Sequence, residues 1–156
     1  KTSNWNVTIT DPFTLAIDLS SLLGSQINWT ILSIPTYNQS ADGNNGTGVT
    51  RYWVNVSVGN GNADIYIRAN ANLTTSGGSI LQLGNETYSY NSTNSSVPND
   101  IGYQLTTNFS NNKIGSALSG SNLIYLKFFL TVPLGQPAGI YNNTVEVRGV
   151  ETGQVP

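Results

Sequence analysis

From Trp5 to Leu19 every large apolar side chain carries an odd number: Trp5, Val7, Ile9, Phe13, Leu15, Ile17 and Leu19. Their even neighbours Asn6, Thr8, Thr10, Thr14, Ala16, Asp18 and Ser20 are polar or small. A β-strand sends successive side chains to opposite faces, so an apolar period of two specifies strand and argues against helix. The alternation recurs downstream. Tyr52, Val54, Val56 and Val58 form one apolar set, and Ala63, Ile65, Ile67, Ala69, Ala71 and Leu73 a second. Ile124, Leu126, Phe128, Leu130 and Val132 form a third, with Lys127 on the opposite, solvated face.

Clusters of Asn, Gly, Ser and Pro punctuate these runs and place strands near 4–10, 13–19, 27–34, 49–59, 63–73, 79–83, 86–91, 102–109, 122–132 and 140–150. Loops are expected at 35–48, 74–78, 91–100 and 111–121, with a short helical turn near 20–24. Gly59-Asn60-Gly61-Asn62 reads as a tight turn joining two antiparallel strands. Residues 133–139 read as the turn joining the final pair, on whose returning strand Tyr141, Val145 and Val147 point inward. Many short strands without an amphipathic helix predict an all-β chain, a single β-sandwich of immunoglobulin-like or jelly-roll-like kind.

Eleven Asn-X-Ser/Thr triplets begin at Asn6, Asn28, Asn38, Asn45, Asn55, Asn72, Asn85, Asn91, Asn94, Asn108 and Asn142. Random ordering of this composition would give roughly five, so the excess points to N-glycan acceptors. Strand parity agrees: Asn6, Asn55, Asn72 and Asn142 fall opposite or beside apolar neighbours, on the outward face. A sugar-coated, extracellular chain at the cell surface is the expectation, with covalent N-glycans and no other cofactor.

Charged residues make up only 9% of the chain, and the formal net charge is −2. The six bases Lys1, Arg51, Arg68, Lys113, Lys127 and Arg148 are scattered along the sequence, which argues against nucleic-acid binding. With no Cys or His, thiolate and imidazole chemistry is excluded, and with it disulfides and the Ser-His-Asp and Cys-His catalytic arrangements. No apolar run is long enough for a membrane-spanning helix. The opening Lys1-Thr2-Ser3-Asn4 passes straight into a strand pattern, as in a processed chain.

Asp11-Pro12 interrupts the first apolar run, because proline cannot donate to a central ladder. Residues 1–12 therefore read as a terminal strand and hinge, and 13–156 as the sandwich. The strand centred on Trp5, Val7 and Ile9 has two fates: folding back into its own sandwich, or completing the sheet of the next subunit. Donation between identical subunits builds a head-to-tail polymer that stays open when its rotation does not close.

The apolar opening strand Asn4 to Thr10, the sequon-dense composition and the ending Phe129-Leu130-Thr131-Val132-Pro133 … Pro137-Ala138-Gly139-Ile140-Tyr141-Asn142-Asn143-Thr144-Val145 together resemble subunits of archaeal extracellular filaments. The thread filament of thermoacidophilic archaea is the nearer resemblance, and the TasA-related bundling pili are the next. The resemblance covers the whole chain, though no single motif in it is specific. It implies a glycosylated sandwich whose N-terminal donor strand (Trp5, Val7 and Ile9, hinged at Asp11 and Pro12) fills a neighbour's groove, in a polymer that meets cell surfaces or other filaments. It also implies isopeptide links between subunits, for which Lys1 is the donor beside that strand.

Other chemistry has weaker support in the sequence. The carboxylates Asp11, Asp18, Asp42, Asp64, Asp100, Glu86, Glu146 and Glu151 show no spacing that singles out a glycosidase pair, so no enzyme is expected. Asp42-Gly43-Asn44-Asn45-Gly46 falls short of a calcium loop. A monomeric adhesin or carbohydrate-binding module is the serious alternative, since Trp5, Trp29, Trp53 and eight Tyr offer faces for stacking on sugars. A surface-layer domain is a third reading.

Overall fold

The structure is a computed structural model describing residues 12–44, 50–92, 98 and 102–156. The predicted strand 4–10, the residues Lys1, Trp5, Val7, Ile9 and Asp11, and the acceptors Asn6, Asn45 and Asn94 lie outside the described residues. Nine strands are described: β1 (Thr14–Leu19), β2 (Thr36–Ser40), β3 (Tyr52–Ala69), β4 (Leu73–Thr74), β5 (Ile80–Leu81), β6 (Glu86–Asn91), β7 (Tyr103–Gln104), β8 (Lys113–Val132) and β9 (Val145–Glu151). The fold is all-β and sandwich-like, built around one seven-stranded antiparallel sheet with β4 and β5 as a separate pair. Among the described residues no helix is long and apolar enough to cross a membrane.

The architecture rests on two long strands that turn a corner together. β3 and β8 pair from Tyr52↔Leu126 to Val58↔Gly120, then shift register and pair again from Ala63↔Leu118 to Tyr66↔Lys113. The corner falls where left-handed residues cluster: Asn60 (φ 47°) and Gly61 (φ 121°) on β3, Ala117 (φ 48°) and Gly120 (φ 64°) on β8. Gly59–Asn62 is therefore not a hairpin turn, as the sequence suggests, but a bulged corner within one continuous strand. Inward parity changes across it, from even (Val54, Val56, Val58) to odd (Ala63, Ile65, Ile67), as extra residues in a bulge require.

Beside β3, the first half is flanked by β1 (Thr14↔Gly59 to Leu19↔Val54) and the second by β9 (Ala63↔Glu151 to Ala69↔Val145). The corner folds these flanks face to face. A Cβ on Gly149 of β9 would stand 2.5 Å from Leu15 Cδ2 and 2.8 Å from Ile17 Cδ1, both on β1. The main core fills the space between the layers, with Val54, Val56, Ile65, Ile67, Ile124, Leu126 and Phe128 fully buried. The sandwich thus has a corner pole, near Gly59–Asn62, and an open pole, where β1 ends and β9 begins.

Several boundaries differ from the sequence reading. The predicted loop 111–121 is mostly the first half of β8, and the predicted loop 35–48 contains β2, which pairs with the end of β8. β8 and β9 do not pair with each other; both pair with β3. Ala71 is exposed, because β3 ends at Ala69. Lys127 is buried at 8% exposure: β8 is a central strand here, flanked by β6 and β2, with Ser89 directly opposite Lys127. Residues 27–34 join no strand ladder. The helical turn is present at 20–24, where Gly24 N–H donates to Ser20 O and Leu23 N–H to Ser20 Oγ.

Candidate functional site

A groove of about 890 Å³ opens at the open pole. Its floor is the second core cluster, Leu73, Leu81, Leu130 and Val132, with Trp29, Ile31 and Tyr141 packed against it. Leu130 and Val132 come from the end of β8, which pairs with β6 and β2 and carries the floor beyond the main core, and Leu73 and Leu81 from the separate β4–β5 pair. Sequence parity identifies Leu130 and Val132 as inward, but the cavity they face depends on tertiary placement.

The two lips of the groove are residues 26–34 and 136–145, and they are held very differently. Gln136 Nε2 donates to Ile80 O and Tyr141 Oη, and Tyr141 Oη donates to Pro137 O. Asn142 exchanges main-chain hydrogen bonds with Thr74, and Thr144 N–H donates to Asn70 Oδ1. The other lip is tied by Asp42 N–H donating to Asn28 O at 2.9 Å and by Trp29 Nε1–H donating to Gln39 O at 3.0 Å. Among the described residues no further hydrogen bond reaches the main chain of 29–34.

That lip nevertheless keeps strand parity, with Ile27, Trp29 and Ile31 half-buried and Asn28, Thr30 and Leu32 exposed. Large apolar side chains stand in water around the opening: Leu32 at 92%, Ile140 at 80%, Ile34 at 40% and Leu19 at 39% exposure. Such a rim makes this opening a candidate contact surface.

Glu86 is the one acid lining the groove, and it is 1% exposed. Burial pushes its carboxyl up to about 7, against a smaller opposing effect from Asn143 Nδ2, which donates to Oε2 at 2.8 Å. The sequence marks Glu86 only as one carboxylate among eight; Asn143, 57 residues away, gave no signal.

The chain enters the sandwich at the other pole. Pro12, the first described residue, is exposed, and Phe13 lies against Gly61, where a Cβ would stand 3.4 Å from Phe13 Cδ2. From there β1 runs the length of the layer to Leu19, at the edge of the groove.

Of the predicted acceptors, Asn28, Asn38, Asn108 and Asn142 are exposed, and Asn55, Asn72, Asn85 and Asn91 half-buried. Among the described residues the two buried asparagines, Asn44 and Asn112, are not in sequons. Asn44 exchanges two hydrogen bonds with the main chain of Phe128, so its side chain is turned inward, away from any loop ligand set. Asn28 and Asn142 stand on opposite lips of the groove.

Two further clusters are invisible in the linear sequence. Arg68, Lys113 and Arg148, half of the chain's bases, gather on one face, because Tyr66 of β3 pairs with both Arg148 and Lys113. Arg68 and Arg148 lie 4.5 and 4.6 Å from the Phe109 ring centroid. Acids accompany them: Arg68 pairs with Glu146 at 2.7 Å and Lys113 with Asp64 at 2.6 Å. The bases are thus less scattered than their spacing suggests, but the face is mixed in charge. Tyr88, Tyr90 and Tyr103 form an aromatic group with centroids 5.3–6.2 Å apart, Tyr103 being 44% exposed. No family model, curated protein or solved structure matches this chain.

Proposed function

We propose that this protein is a structural subunit of an extracellular, N-glycosylated filament, and that each subunit's residues 4–10 enter the groove of the next copy. The observation that carries this reading is the separation of the two ends. The chain enters at the corner pole, while the apolar groove opens at the other.

Reach supports donation over folding back for the terminal strand. Seven extended residues span about 23 Å, and returning along β1 from Thr14 to Leu19 consumes about 17 Å. Folding back would spend residues 4–10 beside β1 and bring little of Trp5, Val7 and Ile9 into the groove. A neighbour's strand meets no such limit. Burying those three side chains contributes roughly 1.5–3 kcal/mol each. That is of the same order as the cost of association, so ladder hydrogen bonds and the covering of Leu32, Ile34 and Ile140 are needed as well. Head-to-tail contacts of this kind generate an open polymer. The exposure of Asn28, Asn38, Asn108 and Asn142 suits sugar attachment at the surface.

The test compares full-length protein with a 1–10 deletion and with Trp5→Asp, by negative-stain microscopy and sedimentation. Fibres are expected from the wild type only, with folded monomers from Trp5→Asp. Normal fibres from the deletion refute the proposal. The exposed Tyr103 beside Tyr90 favours a second reading, a sugar-binding module. That reading predicts monodisperse full-length protein with saturable glycan affinity.

A further inference from the structure

We infer that the lip at residues 27–31 is the edge on which the incoming strand is zipped, through the main-chain groups of Trp29 and Ile31. The inference rests on the polymer reading and names the partner surface within it: the occupant is residues 4–10 of a second copy.

In an extended chain the N–H and C=O of one residue point to the same edge, and those of the next residue to the other. Asn28 O accepts from Asp42 N–H, so the even residues of this lip address the loop that follows β2. The main-chain groups of Trp29 and Ile31 then face the opposite edge, where no described residue bonds to them. Their side chains are already placed, packed against the apolar cluster of the groove floor. The lip therefore has a strand's side-chain alternation, is turned toward the loop after β2 through Asn28 on one edge, and has no described partner for Trp29 and Ile31 on the other. The opposite lip is less suited, because Asn142 already bonds to Thr74 on both its N–H and C=O.

Residues 4–10 supply what this edge lacks. They carry apolar residues at every second position, and they precede Phe13, which lies at the far pole. On insertion the loose lip becomes an internal strand of a closed sandwich. This is strand addition at an exposed edge.

Two measurements on the full-length chain test the inference. Residue-resolved amide exchange compares assembled fibres with Trp5→Asp subunits. The Trp29 and Ile31 amides are expected to slow by about a hundredfold or more in fibres, and the Thr30 and Leu32 amides much less. Second, Ile31→Pro removes an N–H that faces the gap, whereas Leu32→Pro removes one on the other edge. Ile31→Pro is expected to weaken assembly by about tenfold or more, and Leu32→Pro to leave it near wild type. Circular dichroism melts confirm that both variants fold. Fibres in which Trp29 and Ile31 exchange as fast as in subunits, or equal assembly by the two proline variants, would overturn the edge assignment and leave the polymer standing. Absence of any wild-type fibre would overturn both.

Discussion

Glu86 places a carboxyl where water scarcely reaches, and among the described residues no cation pairs with it. Its near neighbours are Asn143 from the far lip, Leu130 across the ladder, and Leu105, whose N–H donates to Glu86 O. Because burial makes protonation easier in the fold than in the unfolded chain, Glu86 contributes stability that is complete below about pH 4.5. That contribution is lost as pH rises through about 7. Glu86→Gln should be nearly neutral at about pH 4 and stabilising by about 3 kcal/mol at about pH 8, read from urea unfolding at both. Equal wild-type stability at the two pH values would contradict it. Asp64 has the opposite sign. Burial works to raise its carboxyl, but hydrogen bonds from Ala117 N–H and Lys113 outweigh this and hold it below its ordinary value. Its contribution is present above the unfolded value and fades as pH falls through the lower folded one. Neither role is legible in the sequence, where Glu86 and Asp64 look like any of the eight acids.

At the level of elements, the corner shared by β3 and β8 makes one sheet into two layers and brings β1 over β9. Gly149 is the point of closest approach: a methyl there would stand 2.5–2.9 Å from Leu15, Ile17 and Ile65 side-chain carbons. Gly149→Ala should cost about 1–3 kcal/mol through overpacking, measured as a lowered denaturation midpoint with unchanged slope. A neutral result would mean that the ends of the Leu15, Ile17 and Ile65 side chains give way to the added methyl. Parity made the inward sets of β1, β3 and the second half of β8 readable, since burial on one face imposes a period of two on the residues themselves. The corner was misread because glycine and asparagine serve a hairpin and a bulge equally well, both needing positive φ. The first half of β8 was missed for a related reason. Gly115 and Gly120 read as loop, yet their partners Ile65 and Val58 on β3 hold them in a ladder. Residues 27–34 show the converse error: the alternation is there and the partner strand is not, so a correct periodicity gave an incorrect ladder.

For the molecule as a whole, the legible part was the class of fold, and the illegible part was its polarity. No local pattern tells that β1 starts at one pole and that Leu19 meets a groove at the other; that follows only from pairing with β3. The groove floor was readable one residue at a time (Leu130 and Val132 as inward), while its lips needed Asn142 on Thr74 and Asn28 on Asp42 to be placed. The β1–β3 ladder has a mechanical consequence. In a polymer joined as proposed, a pull along the axis enters each unit through Pro12 and Phe13 and acts along β1. The six rungs from Thr14↔Gly59 to Leu19↔Val54 then resist by sliding together, not by peeling one after another. Single-molecule stretching of such fibres should give one high, sharp rupture per repeat. Release in small successive steps at low force would show that the load travels another way.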